Sequence, residues 1–263
     1  MATVLSSRGR GTYRDVAMVV CQIGFVAVVL IGWELMSTAG IINSFVVGTP
    51  SKIFDYLGTW LVDGTLLDNT LTTVLVTTVG YASALALGIV VGTVAGTYDT
   101  FGKIISPFVS FWQGFPRLVF YPFFAVALGY SLGSKMIHVA FVIVFMIITS
   151  TAAGVANVDP DVNNHVRILG ANRWETIRDT RLPAAVLWVG TSARITFGFA
   201  IQAAIVAEFT GSSSGLGYLM VLGQNSFNVN IVWAATFAAI VVAVLVDLVL
   251  TRVQSHFSRW EAG

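Results

Sequence analysis

Long apolar runs separated by short polar segments dominate the hydrophobic pattern of this chain. A helix needs about 20 mostly apolar residues to cross the hydrocarbon core of a bilayer. Six stretches reach that length, and each predicts one spanning helix: 16–36, 70–98, 102–128, 135–156, 184–209 and 231–253. Pro107, Pro116 and Pro122 interrupt the third stretch. The pattern therefore predicts an all-α membrane protein with about six transmembrane helices.

The first apolar stretch has two interpretations. Arg8, Arg10 and Arg14 precede it and small residues follow it, as in a secretory signal peptide. A signal-peptide core is typically about 7–15 residues long, however, which is shorter than this stretch. We therefore interpret it as an uncleaved first span. The expected divisions are an N-terminal segment at 1–15, the first helix with its outer loop at 16–69, a core of five further spans at 70–253 and a tail at 254–263.

The composition agrees with a membrane protein and excludes several other classes. Only 10% of the 263 residues are charged, whereas a soluble domain has about a quarter. The net charge of +1 gives no electrostatic reason to expect nucleic acid as a partner. Cys21 is the single cysteine, and His138, His165 and His256 are scattered, so neither an internal disulfide nor a metal site is predicted. The sequence has no G-x-x-x-x-G-K-[ST] phosphate loop, so ATP hydrolysis by this chain is not expected.

The distribution of lysine and arginine between the loops predicts an orientation. Basic residues are concentrated in the cytoplasmic loops of membrane proteins. If the N-terminus is cytoplasmic, the outer side has two basic residues, Lys52 and Lys135. The cytoplasmic side then has ten: Arg8, Arg10, Arg14, Lys103, Arg167, Arg173, Arg178, Arg181, Arg252 and Arg259. Both termini and the segment between the fourth and fifth spans are therefore expected in the cytoplasm.

This segment, 157–183, is a charged island between two apolar runs. Asp159-Pro160 is typical of a helix start, because Asp caps free N–H groups and Pro is tolerated at the first helical position. Gly170 is suited to end this helix in the left-handed conformation. Residues 172–175 resemble a capping box that begins a second short helix. The predicted structure, helix–glycine turn–helix, suits either an amphipathic element in the lipid interface or a knob that docks into another protein.

The same segment resembles the EAA loop of ABC-importer permeases, which reads E-A-A-R-x-L-G-A, a variable stretch, and L-P. Asn164, His165 and Val166 stand where that loop has Glu-Ala-Ala. The resemblance favours the docking interpretation. It implies contact with an ATPase by Arg167, Leu169, Gly170, Ala171, Arg173, Trp174, Leu182 and Pro183.

Several further motifs are similar to those of the nitrate/sulfonate/taurine branch of these permeases. They are W-E-L at 33–35, G-T-P-S at 48–51, F-P at 115–116 with Y-P-F-F at 121–124, A-E-F at 207–209 with S-G-L-G-Y-L at 214–219, and R-W at 259–260. The resemblance implies a type I ABC importer permease fold in a bacterial cytoplasmic membrane. It also implies a second, identical permease, two ATPase subunits that hold ATP and Mg, and an extracytoplasmic solute-binding protein. The expected solute is a small anion or an organosulfonate, and no cofactor is expected on this chain.

Two other functions remain open from the residues themselves. An ion-gradient-driven secondary transporter would predict inverted repeats and buried carboxylates near the middle of the bilayer. A non-transporting membrane scaffold would explain the apolar spans and a docking surface. Neither alternative explains both the charged island and the proline breaks in the third stretch.

Polar and small residues inside the spans supply the remaining candidates. Ionisable groups are costly at bilayer depth, so Arg117 and Glu208, with the polar Gln202, are candidates for the translocation pathway. Residues near span ends can instead extend to the lipid headgroups. The further ionisable residues in or near spans are Glu34, Arg194 and Asp247. Gly88, Gly92 and Gly96 repeat every four residues, which predicts close helix packing, with a sliding surface as the alternative.

Overall fold

A computed structural model describes the backbone of residues 7–257 and the side chains of residues 18–252, except at positions 160, 163, 164, 167, 173, 187 and 191. Within this part the chain is helical, as predicted. The helices are α1 Ser7–Thr38, α2 Ser44–Val47, α3 Pro50–Val62, α4 Thr65–Thr97, α5 Asp99–Gly114, α6 Tyr121–Leu128, α7 Leu132–Ala156, α8 Pro160–Ile168, α9 Arg173–Thr176, α10 Leu182–Phe209, α11 Leu216–Asn225 and α12 Val229–Phe257. A 3₁₀ turn, Arg117–Phe120, precedes α6, and a π-helical turn, Ile177–Arg181, precedes α10.

Five helical stretches in the described chain are long and apolar enough to cross a membrane. They are Met18–Thr38, Thr65–Thr97, Leu132–Ala156, Ser192–Phe209 and Val229–Arg252. The third predicted stretch, which prolines interrupt in the sequence, is not a single helix: α5 ends at Gly114 and α6 begins at Tyr121. Pro116 has no N–H to donate and forces extended backbone at Phe115, with φ −87° and ψ 144°. Pro122 then occupies the first turn of α6, where proline is tolerated.

The centre of the bundle is formed by α4, α7 and α10, with α4 and α7 parallel and α10 antiparallel to both. The buried core between them comprises Val76, Tyr81, Ala84, Val139, Val142, Ile143, Ile147, Val189, Ala200, Ala203 and Ala204. We call this group the central cluster. Helices α4 and α7 end, and α10 begins, at the same end of the bundle, which we call the basal end. The opposite end is the apical end.

Glycines of α4 set the distance between α4 and α7. A Cβ atom at Gly88 would lie 2.5 Å from Cγ2 of Ile147, and one at Gly92 would lie 2.5 Å from Cβ of Thr151. At Gly96 the nearest atom would be Cβ of Val155, at 2.7 Å. Real Cβ atoms do not approach so closely, so the two helices pack with backbone against side chain along this line. The predicted packing residues thus lie on the face of α4 that meets α7.

A second buried cluster joins α3, α11 and the first half of α12. Its members are Ile53, Trp60, Leu216, Leu219, Ala234, Ala235, Ala238 and Ala239, and Trp33 of α1 packs against it. We call this group the lateral cluster. The sequence pattern did not predict α3 or α11 as separate helices, because both are too short to form a span. Together with α12 they form the lateral cluster, a second buried core beside the central cluster.

Candidate functional site

The segment 157–183 forms two short helices at the basal end, as predicted. The backbone N–H of Asp161 donates to Oδ1 of Asp159 at 2.8 Å, which caps the first turn of α8. Gly170 has φ 90°, in the left-handed region, and turns the chain between α8 and α9. Reciprocal hydrogen bonds then form the predicted capping box: the Asn172 N–H donates to Glu175 Oε2 at 2.8 Å, and the Glu175 N–H donates to Asn172 Oδ1 at 2.9 Å.

Large apolar side chains of this segment project away from the bundle. Ile168 is 81% exposed, Leu169 85% and Trp174 67%. Among the other predicted contact residues, Gly170 and Pro183 are also exposed, whereas Ala171 and Leu182 are half-buried. The side chains of Arg167 and Arg173 lie outside the described part of the structure. Contiguous exposed apolar side chains of this kind mark an interaction surface. We call the segment 157–183, which carries them, the basal knob.

A side-chain ion pair gives the basal knob local polarity. Arg178 Nε and Asp179 Oδ1 are 2.6 Å apart, and both side chains are at least half exposed. The hydrogen bond from Arg178 lowers the pKa of the Asp179 carboxyl below its usual value. The same contact raises the pKa of the Arg178 guanidinium. Both groups therefore remain charged at neutral pH on the surface of the knob.

The basal knob is attached to the central helices at both of its ends. It leaves α7 at Ala156 and continues without a break through the π-helical turn into α10. Arg181 Nη1 also donates to the carbonyl of Thr97, the last residue of α4, at 3.3 Å. A Cβ atom at Gly154 would lie 2.7 Å from Cβ of Trp188, so α7 and α10 pack closely beside the knob. A force on the knob would therefore act directly on α7 and α10.

At the apical end, a buried carboxylate binds the start of α11. Glu208 is fully buried, and its Oε2 accepts hydrogen bonds from the Thr73 hydroxyl at 2.9 Å and the Gly217 N–H at 3.0 Å. The Leu216 N–H donates to Thr73 Oγ1 at 2.9 Å, and the Gly215 N–H donates to Asn69 Oδ1 at 2.8 Å. Three consecutive N–H groups are thus satisfied by side chains of α4 and α10. We call Asn69, Thr73 and Glu208 the α11 anchor.

A buried lysine and a buried histidine lie near the start of α7. Lys135, expected at the start of a span, is 3% exposed and donates to the hydroxyl of Ser212. Ser212 in turn donates its N–H to the carbonyl of Glu208 at 3.2 Å. His138 is fully buried, one turn further along α7, and its ring nitrogens have no hydrogen-bond partner among the described residues. Its ring packs against Tyr121 and Phe124, with ring centroids 5.5 and 5.9 Å apart.

A groove of about 340 Å³ separates α10 from α12 over much of their length. Gln202 is exposed and lines this groove. Arg194 and Asp247 lie further toward the basal end of the groove and form a bidentate ion pair across it. Paired charges inside membrane helices usually face a bundle interior or a water-filled cavity. The structure therefore places Gln202 and this pair in the same groove between α10 and α12.

Arg117 occupies a different location from the other two pathway candidates. It lies on the 3₁₀ turn between α5 and α6, where it is half-buried. Its Nη1 donates to the carbonyl of Val142, near the middle of α7, at 2.6 Å. A guanidinium has five N–H donors, so one carbonyl satisfies a small part of its capacity. Arg117 adjoins α7, Gln202 lines the α10–α12 groove and Glu208 binds α11, so the described contacts do not bring the three together.

Comparison with known proteins identifies the chain. Residues 84–261 match the model of the binding-protein-dependent transport system inner membrane component family. The chain belongs to this family. The matched residues include the basal knob, the α10–α12 groove and Glu208, so the features described above lie largely within the family's shared region.

Two curated relatives span nearly the whole chain. The putative aliphatic sulfonates transport permease protein SsuC of Bacillus subtilis is 25% identical over 234 residues, which are 89% of this chain and 85% of that protein. The taurine transport system permease protein TauC of Escherichia coli is 24% identical over 247 residues, which are 92% and 90% of the two chains. The chain is therefore a member of the ABC-importer permeases and is similar to their nitrate/sulfonate/taurine branch.

The fold agrees with this assignment. An inward-facing structure of the MetNI methionine ABC transporter superposes with a TM-score of 0.64 at 17% identity, over 75% of this chain and 96% of the other. The chain thus has the type I ABC importer permease fold. As a multi-pass inner-membrane component, it is a transport subunit by family.

Proposed function

We propose that this chain is the membrane-spanning subunit of an ATP-driven importer and that the basal knob couples it to ATPase subunits. The main support is the exposure of Ile168, Leu169 and Trp174 on a helix–turn–helix joined to α7 and α10. Water does not favour such exposure, whereas a cleft in another protein would bury these side chains. The polar rim around them, with Arg178 and Asp179, suits a protein surface.

The orientation and the division of labour follow from this proposal. The basal end is cytoplasmic, and so are both termini, since the basic residues of the sequence are concentrated there. ATP and Mg bind to the ATPase subunits, which carry out the hydrolysis. This chain binds neither and contributes no catalytic residue. Two ATPase subunits bind two knobs, one from each of two identical permease chains.

Nucleotide drives the cycle through its different contacts with two states of the ATPase pair. ATP binding draws the two ATPase subunits together, and the knobs follow them. Because each knob is continuous with α7 and α10, these helices tilt and the pathway opens at the apical end. A solute-binding protein delivers its solute to that end, and hydrolysis returns the helices to the inward-facing arrangement.

The translocation pathway runs along the exposed face of α10 in this proposal. Gln202 and Arg194 are polar groups on that face, Asp247 pairs with Arg194 from α12, and all three would be costly if they faced lipid. Arg117 adds a positive charge beside α7. A small anion or an organosulfonate is the proposed solute, supported by the named substrates of the similar permeases and by Arg117.

The test is whether an ATPase copurifies with this chain and depends on the knob. The chain is purified in mild detergent from its native membrane, and partners are identified by mass spectrometry. Leu169→Asp and Gly170→Asp place a charge in the proposed contact. Phe227→Asp, at the apical end, is the matched control because Phe227 is 79% exposed. An equimolar ATPase that is lost with the two knob variants and retained with the control is expected.

Two other results would contradict the proposal. A folded chain that takes up solute in the absence of any ATPase would indicate an ion-gradient-driven transporter. Copurification of an ATPase whose reconstituted complex shows no ATP-dependent uptake of taurine, nitrate or alkanesulfonates, with and without added binding protein, would favour a scaffold or a different solute. Loss of the ATPase with Phe227→Asp as well would show that the knob variants act through misfolding.

A further inference from the structure

The basal knob and α11 belong to different parts of the molecule. The knob is continuous with α7 and α10, whose cores form the central cluster. Helix α11 has its buried side chains, Leu216 and Leu219, in the lateral cluster with α3 and α12. A Cβ atom at Gly223 would lie 2.8 Å from Ile231 and Val232, so α11 is also packed tightly against α12. A motion that starts at the knob must therefore cross from one cluster to the other to reach α11.

The α11 anchor lies at this crossing. Asn69 and Thr73 belong to α4 and Glu208 to α10, and both helices contribute to the central cluster. Their side chains bind the N–H groups of Gly215, Leu216 and Gly217 at 2.8–3.0 Å. The first N–H groups of a helix have no partner within the helix, so side chains that bind them fix its position. The sequence offers no other cap here, since Gly215 stands at the N-cap.

Steric contacts make this attachment specific. A Cβ atom at Gly215 would overlap the carboxylate of Glu208. At Gly217 a Cβ atom would lie 2.8 Å from Cβ of Glu208 and would overlap the carbonyl of Ile205. Gly215 therefore lies directly against the side chain of Glu208, and Gly217 lies against the backbone of α10. On the basal side of this contact, the groove separates α10 from α12.

A carboxylate is an expensive way to attach a helix. Burying a charge costs several kcal/mol even after relaxation, and apolar packing would hold α11 without that cost. Hydrogen bonds to a fixed acceptor have a defined direction, however, and they keep one relative position where apolar surfaces can slide. The arrangement therefore favours fixed geometry over maximum stability.

We propose that Glu208 is a positioning residue that makes α11, and with it the lateral cluster, follow α4 and α10 during the transport cycle. This inference rests on the proposed function, because the motion that α11 follows begins at the basal knob. Glu208 need not contact the solute. Its role is to transmit the movement of the pathway helix to the apical end, where α11 lies.

The experiment measures distances in the reconstituted complex with its ATPase. Cys21 is replaced by Ser, and spin labels are placed at Leu71 of α4 and Leu222 of α11, which are exposed. A second pair of labels at Ile168 reports on the two knobs. Distances are compared between the nucleotide-free complex and the complex trapped with ADP and vanadate. In the unmodified chain, the Ile168 distance is expected to change with nucleotide while the distance from Leu71 to Leu222 stays constant.

The variant Glu208→Leu removes both hydrogen bonds that Oε2 accepts. The distance from Leu71 to Leu222 is then expected to broaden and to change with nucleotide, while the Ile168 distance changes as before and ATP hydrolysis is retained. Glu208→Gln keeps an acceptor oxygen and is expected to behave like the unmodified chain. If Glu208→Leu does not fold, Thr73→Val replaces it, because Thr73 bonds both Glu208 and Leu216.

Glu34→Leu is the matched control. Glu34 also binds the first turn of a short helix, α3, but it does so from α1, which packs with α3 on the lateral cluster. This variant is expected to leave the distance from Leu71 to Leu222 constant. A constant distance in Glu208→Leu and Thr73→Val as well would overturn the positioning role. An Ile168 distance that does not respond to nucleotide in the unmodified complex would instead contradict the proposed function.

Discussion

The carboxylate of Glu34 binds both the N–H and the hydroxyl of Ser51, each at 2.9 Å. A residue near the end of α1 thus caps the first turn of α3, seventeen positions later. Glu208 does the same for α11 through the N–H of Gly217. Both glutamates were candidates for function because a carboxylate is costly in an apolar span. In both cases the structure shows the acid at the N-terminus of a short helix, where the helix dipole favours negative charge.

We expect Gly88→Leu to destabilise the bundle, because a side chain at this position would enter the contact between α4 and α7. The first added atom would already lie 2.5 Å from Ile147 Cγ2. Inserting atoms into a packed core typically costs about 1–3 kcal/mol, so the Tm of the purified chain in detergent should fall. Gly58→Leu in α3 is the control, since nothing lies within 4 Å of its Cβ position. An equal fall in Tm for both variants would show that the glycine line does not set the spacing.

The ion pair between Arg194 and Asp247 should show a strong non-additive effect. Arg194→Gln or Asp247→Asn leaves the other charge without its partner in the groove between α10 and α12, and each should lower the Tm. The exchange Arg194→Asp with Asp247→Arg restores opposite charges and should recover much of that loss. Thermal unfolding in lipid nanodiscs of the unmodified chain, Arg194→Gln, Asp247→Asn and the variant with both of these changes forms a double-mutant cycle. Additive losses would mean that the two side chains do not interact in the membrane.

The sequence predicted the parts of this molecule that depend on local pattern. Apolar runs gave four of the long helices nearly in full, and Asp159, Gly170 and Asn172 gave the helix–turn–helix of the basal knob. Neighbours distant in the chain could not be predicted in this way. Asn69 is hydrogen-bonded to Gly215, 146 positions later in the chain, and Thr73 is hydrogen-bonded to Glu208, 135 positions later.

The remaining differences between the predicted and the observed helices have local causes, which a search for membrane spans overlooks. The short helices α3 and α11 have 13 and 10 residues, too few to register as membrane crossings. Each depends on a carboxylate from another helix to complete its first turn. The break between α5 and α6 was signalled by Pro116 and Pro122, but the 3₁₀ turn that aims Arg117 at Val142 follows from packing on α7.

Substitutions of Gly170, in the turn of the basal knob, should affect ATPase binding to different degrees. Its φ of 90° lies in the left-handed region, which costs an ordinary residue about 1–2 kcal/mol. Nothing lies within 4 Å of the Cβ position, so backbone strain alone decides the outcome. Gly170→Asn should retain ATPase binding, since Asn tolerates this conformation, whereas Gly170→Val should weaken it. The dissociation constant for the purified ATPase, measured by biolayer interferometry, tests this order; equal binding by both would show that the turn geometry is not required.

Leu169→Asp should abolish ATPase binding without lowering the stability of the chain. Because Leu169 is 85% exposed, its replacement should change the free energy of unfolding by no more than about 0.5 kcal/mol. The same change places a charge in the proposed contact with the ATPase, where an unpaired buried charge is strongly unfavourable. We therefore expect an unchanged Tm for the isolated chain together with a loss of ATPase binding and of ATP-dependent uptake. Ala185→Asp, at a fully buried position of α10, provides the opposite control, since it should lower the Tm directly. A Leu169→Asp chain that binds the ATPase normally would exclude the knob as the coupling surface and leave the lipid-interface interpretation of 157–183.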